Sequence, residues 1–145
     1  MIITYQGVPG SYSHITAVKY FGTDHTFIGT KAFKEIFENL KSGKADMAVV
    51  PVENTLAGTV YENYDYLNSY PIYASGECNL KIEHQLLGIH TDDPIEDRLK
   101  KIKKVYSHIK ALEQCSHFFD EHPWIDETVY SDTAGAAKMV AEQKD

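Results

Sequence analysis

The run Met47-Ala48-Val49-Val50 has no polar side chain at either parity, so an extended segment here presents two apolar faces. Both must be covered, which is the condition of a strand in a parallel sheet. Just upstream, Phe33, Ile36, Phe37 and Leu40 recur at i, i+3, i+4 and i+7, and Ser42-Gly43 follows. That spacing predicts an amphipathic helix with a defined stop. A helix feeding a doubly buried strand is the repeating unit of an α/β fold.

The same alternation extends along the chain. Ile2–Tyr5 is a β-prone run punctuated by "QGVPG", after which Ser11 or Ser13 can cap a helix carrying Ile15, Val18 and Phe21. Thr26–Ile28 reads as a strand, and Val60, Tyr64 and Leu67 as a helix ended before Pro71. Leu80, Ile82, His84 and Leu86 alternate strictly, predicting a long half-buried strand within 72–88. The segment "TDDPIEDRLKKIKK" carries charges of both signs and reads as a solvated turn and short helix. Val105-Tyr106 resumes strand character. Ala111, Leu112, Cys115, Phe118 and Phe119 lie at helical spacing. Trp124–Tyr130 is again β-prone, and Ala136, Ala137, Val140 and Ala141 mark a last helix. The alternating strand differs from the units flanking it. It predicts a crossover between a first α/β lobe (1–75) and a second (76–145), with a ligand cleft between them.

Four polar clusters then follow predicted strands: "GSYS", "ENT" at 53–55, Ser107-His108 and Asp132-Thr133. In parallel sheets, ligands bind beyond the carboxyl ends of the strands, so all four are expected at one edge. Each could also be plain turn or capping chemistry. The formal charge of −7 opposes non-specific nucleic-acid binding and attachment to anionic membranes. An anionic ligand would therefore need local hydrogen-bond donors. No apolar stretch approaches a membrane span, no secretory pattern opens the chain, and two cysteines are too few for a disulfide scaffold. A cytoplasmic protein is expected. "GVPGS" lacks the Lys-Ser/Thr ending of a phosphate-binding loop, and no G-x-G-x-x-G occurs. Ser107-x-x-Lys110 fits the start of a serine acylase motif, but no Lys-Thr-Gly follows. Cys115, His117 and His122 lack a second ligand pair, so no metal site is indicated.

Six ordered stretches carry a family resemblance: "YQGVPGSYSH", "PVENTLAGTV", "YDYLNSYPIYASGE", "KIEHQLLG", "KVYSHIKALEQCSHFF" and "SDTAGAAKMV". Together they resemble the catalytic domain of prephenate dehydratases, which form phenylpyruvate for phenylalanine biosynthesis. The resemblance implies a two-lobed, periplasmic-binding-protein-like (type 2) fold with prephenate in the interlobe cleft. It implies no cofactor and a homo-oligomeric assembly. By motif match, Asn54, Ser107 and Gln114 are the expected catalytic residues, with Ser11, Ser13, Thr55 and Thr133 supplying hydroxyls and helix N-termini to the carboxylates. Arogenate dehydratase and a non-catalytic two-lobed binding fragment are the alternatives. Where the family reads Ser-His-Pro-Gln, this chain has Ser107-His108-Ile109-Lys110, and Lys110 is expected to point away from the substrate. The family also carries a Thr-Arg-Phe motif and commonly an ACT domain after the matched region. Neither lies within these 145 residues, so a catalytic-domain fragment is expected.

Overall fold

The structure, a computed structural model, describes residues 1–143. It divides into two compact units, Met1–Ile82 and a second beginning at Glu83.

The first unit is built on three parallel strands: β1 (Ile2–Gln6), β2 (Thr26–Thr30) and β3 (Met47–Val49), in the order β2-β1-β3. Ile3 pairs with Phe27 on one side and Met47 on the other. The central strand is covered on both faces, and Ile3, Thr4 and Tyr5 are buried. Helices α1 (Tyr12–Phe21), α2 (Phe33–Lys41) and α3 (Tyr61–Ser69) complete the unit. The predicted stripe on α2 is real: Ile36 and Phe37 are fully buried, and Gly43 supplies the left-handed turn (φ 72°) that follows the helix. Phe37 packs against Tyr66 and Tyr70, with ring centroids 5.0 and 5.5 Å away. Burying such a side chain contributes roughly 1.5–3 kcal/mol. α1 departs from expectation, because it buries Ala17 and leaves Ile15 exposed.

The second unit holds a parallel pair, β6 (Lys104–Ser107) and β7 (Asp126–Val129), with Ser107 opposite Val129. Around it lie α4 (Ile95–Lys101), α5 (Ile109–Gln114), α6 (Ser116–Glu121) and α7 (Thr133–Gln143). Its core is Leu112, Phe119 and Ile125, flanked by Leu99, Val105, Cys115 and Phe118. The apolar spacing from Ala111 to Phe119 predicts one helix, but the structure has two. Cys115 (φ −103°, ψ 14°) ends α5 and begins α6, its amide turning back to the Leu112 carbonyl. The break still leaves Leu112 and Phe119 on one core.

The strand expected within 72–88 does not form: residues 71–91 carry neither helix nor strand. The alternation survives in exposure only as far as His84: Leu80, Ile82 and His84 are half-buried and Lys81, Glu83 and Gln85 exposed, but Leu86 is exposed as well. A period of two reports an extended backbone with one covered side. It does not supply the partner that a ladder needs. The polar run after β3 brings a second correction, since it forms a short antiparallel hairpin, β4 (Glu53–Asn54) with β5 (Gly58–Thr59), where a simple turn into a helix was one reading. The described strands thus make three small sheets, so the four polar clusters do not share the edge of one sheet.

Candidate active site

In the first unit, two clusters lie beyond the carboxyl ends of the neighbouring strands β1 and β3. After β1 the chain turns through Gly7 (φ 106°), where a Cβ would come within 2.9 Å of Ser11 Oγ. Glycine there lets the Ser11 hydroxyl sit over the turn. Ser11, not Ser13, is the N-cap of α1, and its Oγ accepts from the His14 N–H at 3.3 Å. His14 in turn accepts from the Gly10 N–H through Nδ1 at 3.2 Å, and its ring lies against Tyr5 and Phe27. Ser13 occupies the first turn of α1, half-buried. The amides of such a turn have no intrahelical acceptor and favour negative charge.

Beyond β3, the hairpin that carries Asn54 is fixed at two levels. At its base, the Val60 N–H donates to the Val52 carbonyl at 2.9 Å, and Asn63 Nδ2 donates to the Pro51 carbonyl at 2.7 Å. At its tip, Asn54 Oδ1 accepts from the amides of Leu56 (2.9 Å) and Ala57 (2.8 Å). The acceptor end of the Asn54 amide is therefore committed to its own loop, and the Nδ2 end is left to donate. Thr55 sits at the exposed tip beside Asn54. Asn63 was not a sequence candidate. It is fully buried, and its Oδ1 lacks a partner.

In the second unit, Ser107 ends β6 and Thr133 follows the paired strand β7, and the Tyr130 N–H donates to the Ser107 carbonyl at 2.8 Å. The structure thus brings these two ends together. Of Ser107-His108, the histidine is the cap of α5: His108 Nδ1 accepts from the Lys110 N–H at 3.2 Å. Asp132 Oδ1 accepts from the Gly135 N–H at 2.6 Å at the start of α7, with Thr133 the first helical residue. A Cβ at position 135 would lie 2.6 Å from Asp132 Oδ2, so a larger residue there would displace the capping carboxylate. Gln114 is the last residue of α5, about 7.5 Å of helical rise beyond Ile109. It is held there by His84, with Nε2···Oε1 at 2.7 Å. Ser107 and Gln114 therefore mark opposite ends of a short helix. Lys110 lies on an exposed face, its Nζ 2.8 Å from Glu113. Burial raises the Cys115 thiol above its ordinary value, which keeps it protonated beside Gln114.

One apolar cavity of about 290 Å³ also lies in this unit, lined by Leu87, Gly88, Ile89, Ala137, Val140 and Ala141. Its lining side chains include no hydrogen-bond donor, so it does not suit an anion. Among the described residues, no helix is long and apolar enough to cross a membrane.

Comparison with known proteins bears on this geometry. The family model for prephenate dehydratase matches residues 3–145. A bifunctional chorismate mutase/prephenate dehydratase of Escherichia coli (strain K12) is 39% identical over 146 residues, covering 98% of this chain and 36% of that protein. An Arabidopsis thaliana protein, arogenate dehydratase/prephenate dehydratase 2, chloroplastic, is 37% identical over 96% of this chain and 35% of its own length. The chain thus spans about a third of these curated relatives. Among solved structures, the prephenate dehydratase from Staphylococcus aureus subsp. aureus Mu50 superposes with a TM-score of 0.74 at 27% identity, covering 97% of this chain and 51% of its own. A chain described as GqqA, a novel type of quorum quenching acylase, gives 0.82 at 30% identity, covering 99% and 50%.

Proposed function

The chain belongs to the prephenate dehydratase family, and we propose that it binds prephenate and supports its conversion to phenylpyruvate. In that reaction the bond between ring and carboxylate breaks and carbon dioxide leaves. The released electron pair enters the ring, the ring hydroxyl departs as it takes up a proton, and the ring becomes aromatic. One prephenate and one proton give one phenylpyruvate, one carbon dioxide and one water. No electron passes to an outside partner, so the reaction asks for no redox cofactor. It asks for two held carboxylates and a proton donor at the leaving oxygen.

Asn54, Ser107 and Gln114 are assigned to the reacting part of the substrate. Ser11, Ser13, Thr55 and Thr133 are assigned to its carboxylates. The observation that carries this reading is the Asn54 amide, whose Oδ1 is occupied by two backbone N–H groups of its own loop. Its donor end is thereby preorganised, and a donor fixed before the reaction loses no reorganisation energy during it. A two-lobed, periplasmic-binding-protein-like (type 2) arrangement with lobes 1–75 and 76–145, a cytoplasmic location and a homo-oligomeric assembly belong to the same proposal.

The test adds prephenate to the purified protein and follows phenylpyruvate by its ultraviolet absorption. Asn54→Ala is expected to cut turnover by roughly 10²–10³, the usual loss for one preorganised donor. Turnover within about threefold of the parent would remove Asn54 from the site. Arogenate belongs in the same assay, because one relative carries both substrate names.

The GqqA likeness supports a second reading, an acylase, for which the Ser107-x-x-Lys110 pattern offers Ser107 as the nucleophile. The lysine of Ser107-x-x-Lys110 is ion-paired to Glu113 at 2.8 Å on an exposed face, so its ammonium is directed at a carboxylate. Release of a chromogenic amine from an acyl amide, abolished in Ser107→Ala, would favour this reading over the first.

A further inference from the structure

His84 lies in the stretch without secondary structure, 30 residues before Gln114, yet its Nε2 stands 2.7 Å from Gln114 Oε1 in a half-buried setting. A primary amide has a donor end and an acceptor end, so fixing one end aims the other. We propose that His84 is a positioning residue that turns the Gln114 amide so that its NH2 group faces the reacting part of the substrate. The inference rests on the assignment of Gln114 to the substrate made above.

The chemistry selects one arrangement of the pair. Gln114 Oε1 can only accept, so His84 must carry its proton on Nε2 and donate it. The reverse arrangement would have the Gln114 NH2 donate to an unprotonated Nε2 and turn Oε1 outward. That places a lone pair against a dianion. Gln114 also sits at the carboxyl end of α5, where the aligned peptide dipoles present their negative pole. An anion is ill received there unless a donor is held firmly in place. A free glutamine side chain loses rotamer freedom when it is fixed on binding. An amide already held by His84 has lost part of that freedom beforehand.

A double-mutant cycle on prephenate affinity, measured by calorimetry, separates positioning from general structural support. His84→Leu, which has no donor, is expected to weaken binding about tenfold, the loss of one well-made hydrogen bond. His84→Gln keeps a donor within reach and should stay within about threefold of the parent. In a Gln114→Ala background, His84→Leu should change affinity by less than about twofold, because residues that act as a unit are not additive. A full tenfold loss in that background would overturn the positioning role. So would a normal affinity in His84→Leu when Gln114→Ala alone weakens binding. If Gln114→Ala itself leaves affinity untouched, the assignment of Gln114 to the substrate fails first and takes this inference with it. Long-range proton–nitrogen correlation spectra on the unmutated chain give an independent reading. The His84 ring should show its proton on Nε2 at neutral pH, and a ring protonated on Nδ1 alone would overturn the proposal even if no variant folds.

Discussion

Thr4 sits at the centre of the first unit with no exposure to water, yet its hydroxyl is satisfied twice. It donates to the Ile28 carbonyl and accepts from Asn39 Nδ2, both at 3.2 Å. Tyr5, the next residue, is also buried, and there burial is the whole electrostatic story: it raises the phenol above its ordinary value because the phenolate would be poorly solvated. A folded-state value above the unfolded one means that this stabilisation is complete below the unfolded value, about 10, and is lost as pH rises through the folded value. Over that window the unfolded chain releases its Tyr5 proton first, costing up to about 1.4 kcal/mol per pH unit. Tyr5→Phe removes this one titration. Denaturant unfolding at stepped alkaline pH should therefore give a shallower decline for the variant than for the parent. Parallel declines would mean that Tyr5 ionises as readily folded as unfolded.

At the scale of elements, the hairpin β4–β5 and helix α3 depend on each other through one buried side chain. Asn63 shares a stripe with Tyr66 and Leu67 of α3 and with Tyr70 just past its end, at i, i+3, i+4 and i+7, and these are the residues turned away from water. The sequence reading placed the apolar face on Val60, Tyr64 and Leu67 because a buried asparagine is invisible to a hydrophobic period. Asn63→Leu keeps the branched shape of the side chain, with bulkier tips, while losing the bond to the Pro51 carbonyl. It also removes the unpartnered Oδ1, so two costs of about 1–3 kcal/mol each nearly cancel in overall stability. The hairpin, freed at its base, should open more often. Amide exchange at Val60 and Ala57 is expected to quicken about tenfold while the Tyr5 amide is unaffected. Unchanged exchange at both would show that the hairpin holds itself. The same contrast holds in each unit. Strand ends after β1, β3, β6 and β7 were legible, because short apolar runs followed by Ser, Asn or Asp are local signals. What orients the side chains there was not, because Asn63–Pro51 and His84–Gln114 join residues far apart in sequence, and no local period encodes such a pairing. The missing strand at 72–88 failed for a related reason, since alternation describes one chain and a ladder needs two.

The molecule as a whole carries a formal charge of −7, while every side chain assigned to the substrate is neutral: Ser11, Ser13, Asn54, Thr55, Ser107, Gln114 and Thr133. This combination has a thermodynamic signature. A dianion approaching such a surface meets a repulsive field whose range is the Debye length, about 30 Å at 0.01 M salt and about 8 Å at 0.15 M. The attraction, by contrast, comes from hydrogen-bond donors and helix N-termini acting over a few ångströms, where mobile ions screen little. Added salt should therefore remove more repulsion than attraction. Prephenate affinity measured by calorimetry is expected to strengthen by about two- to fivefold between these two concentrations, the reverse of a site built from lysine or arginine. Sodium chloride should act as potassium chloride does, since the effect is one of ionic strength. Binding that weakens with salt would mean that a cation stands at the substrate, and the neutral-donor assignment would then have to yield to a lysine or arginine of this chain.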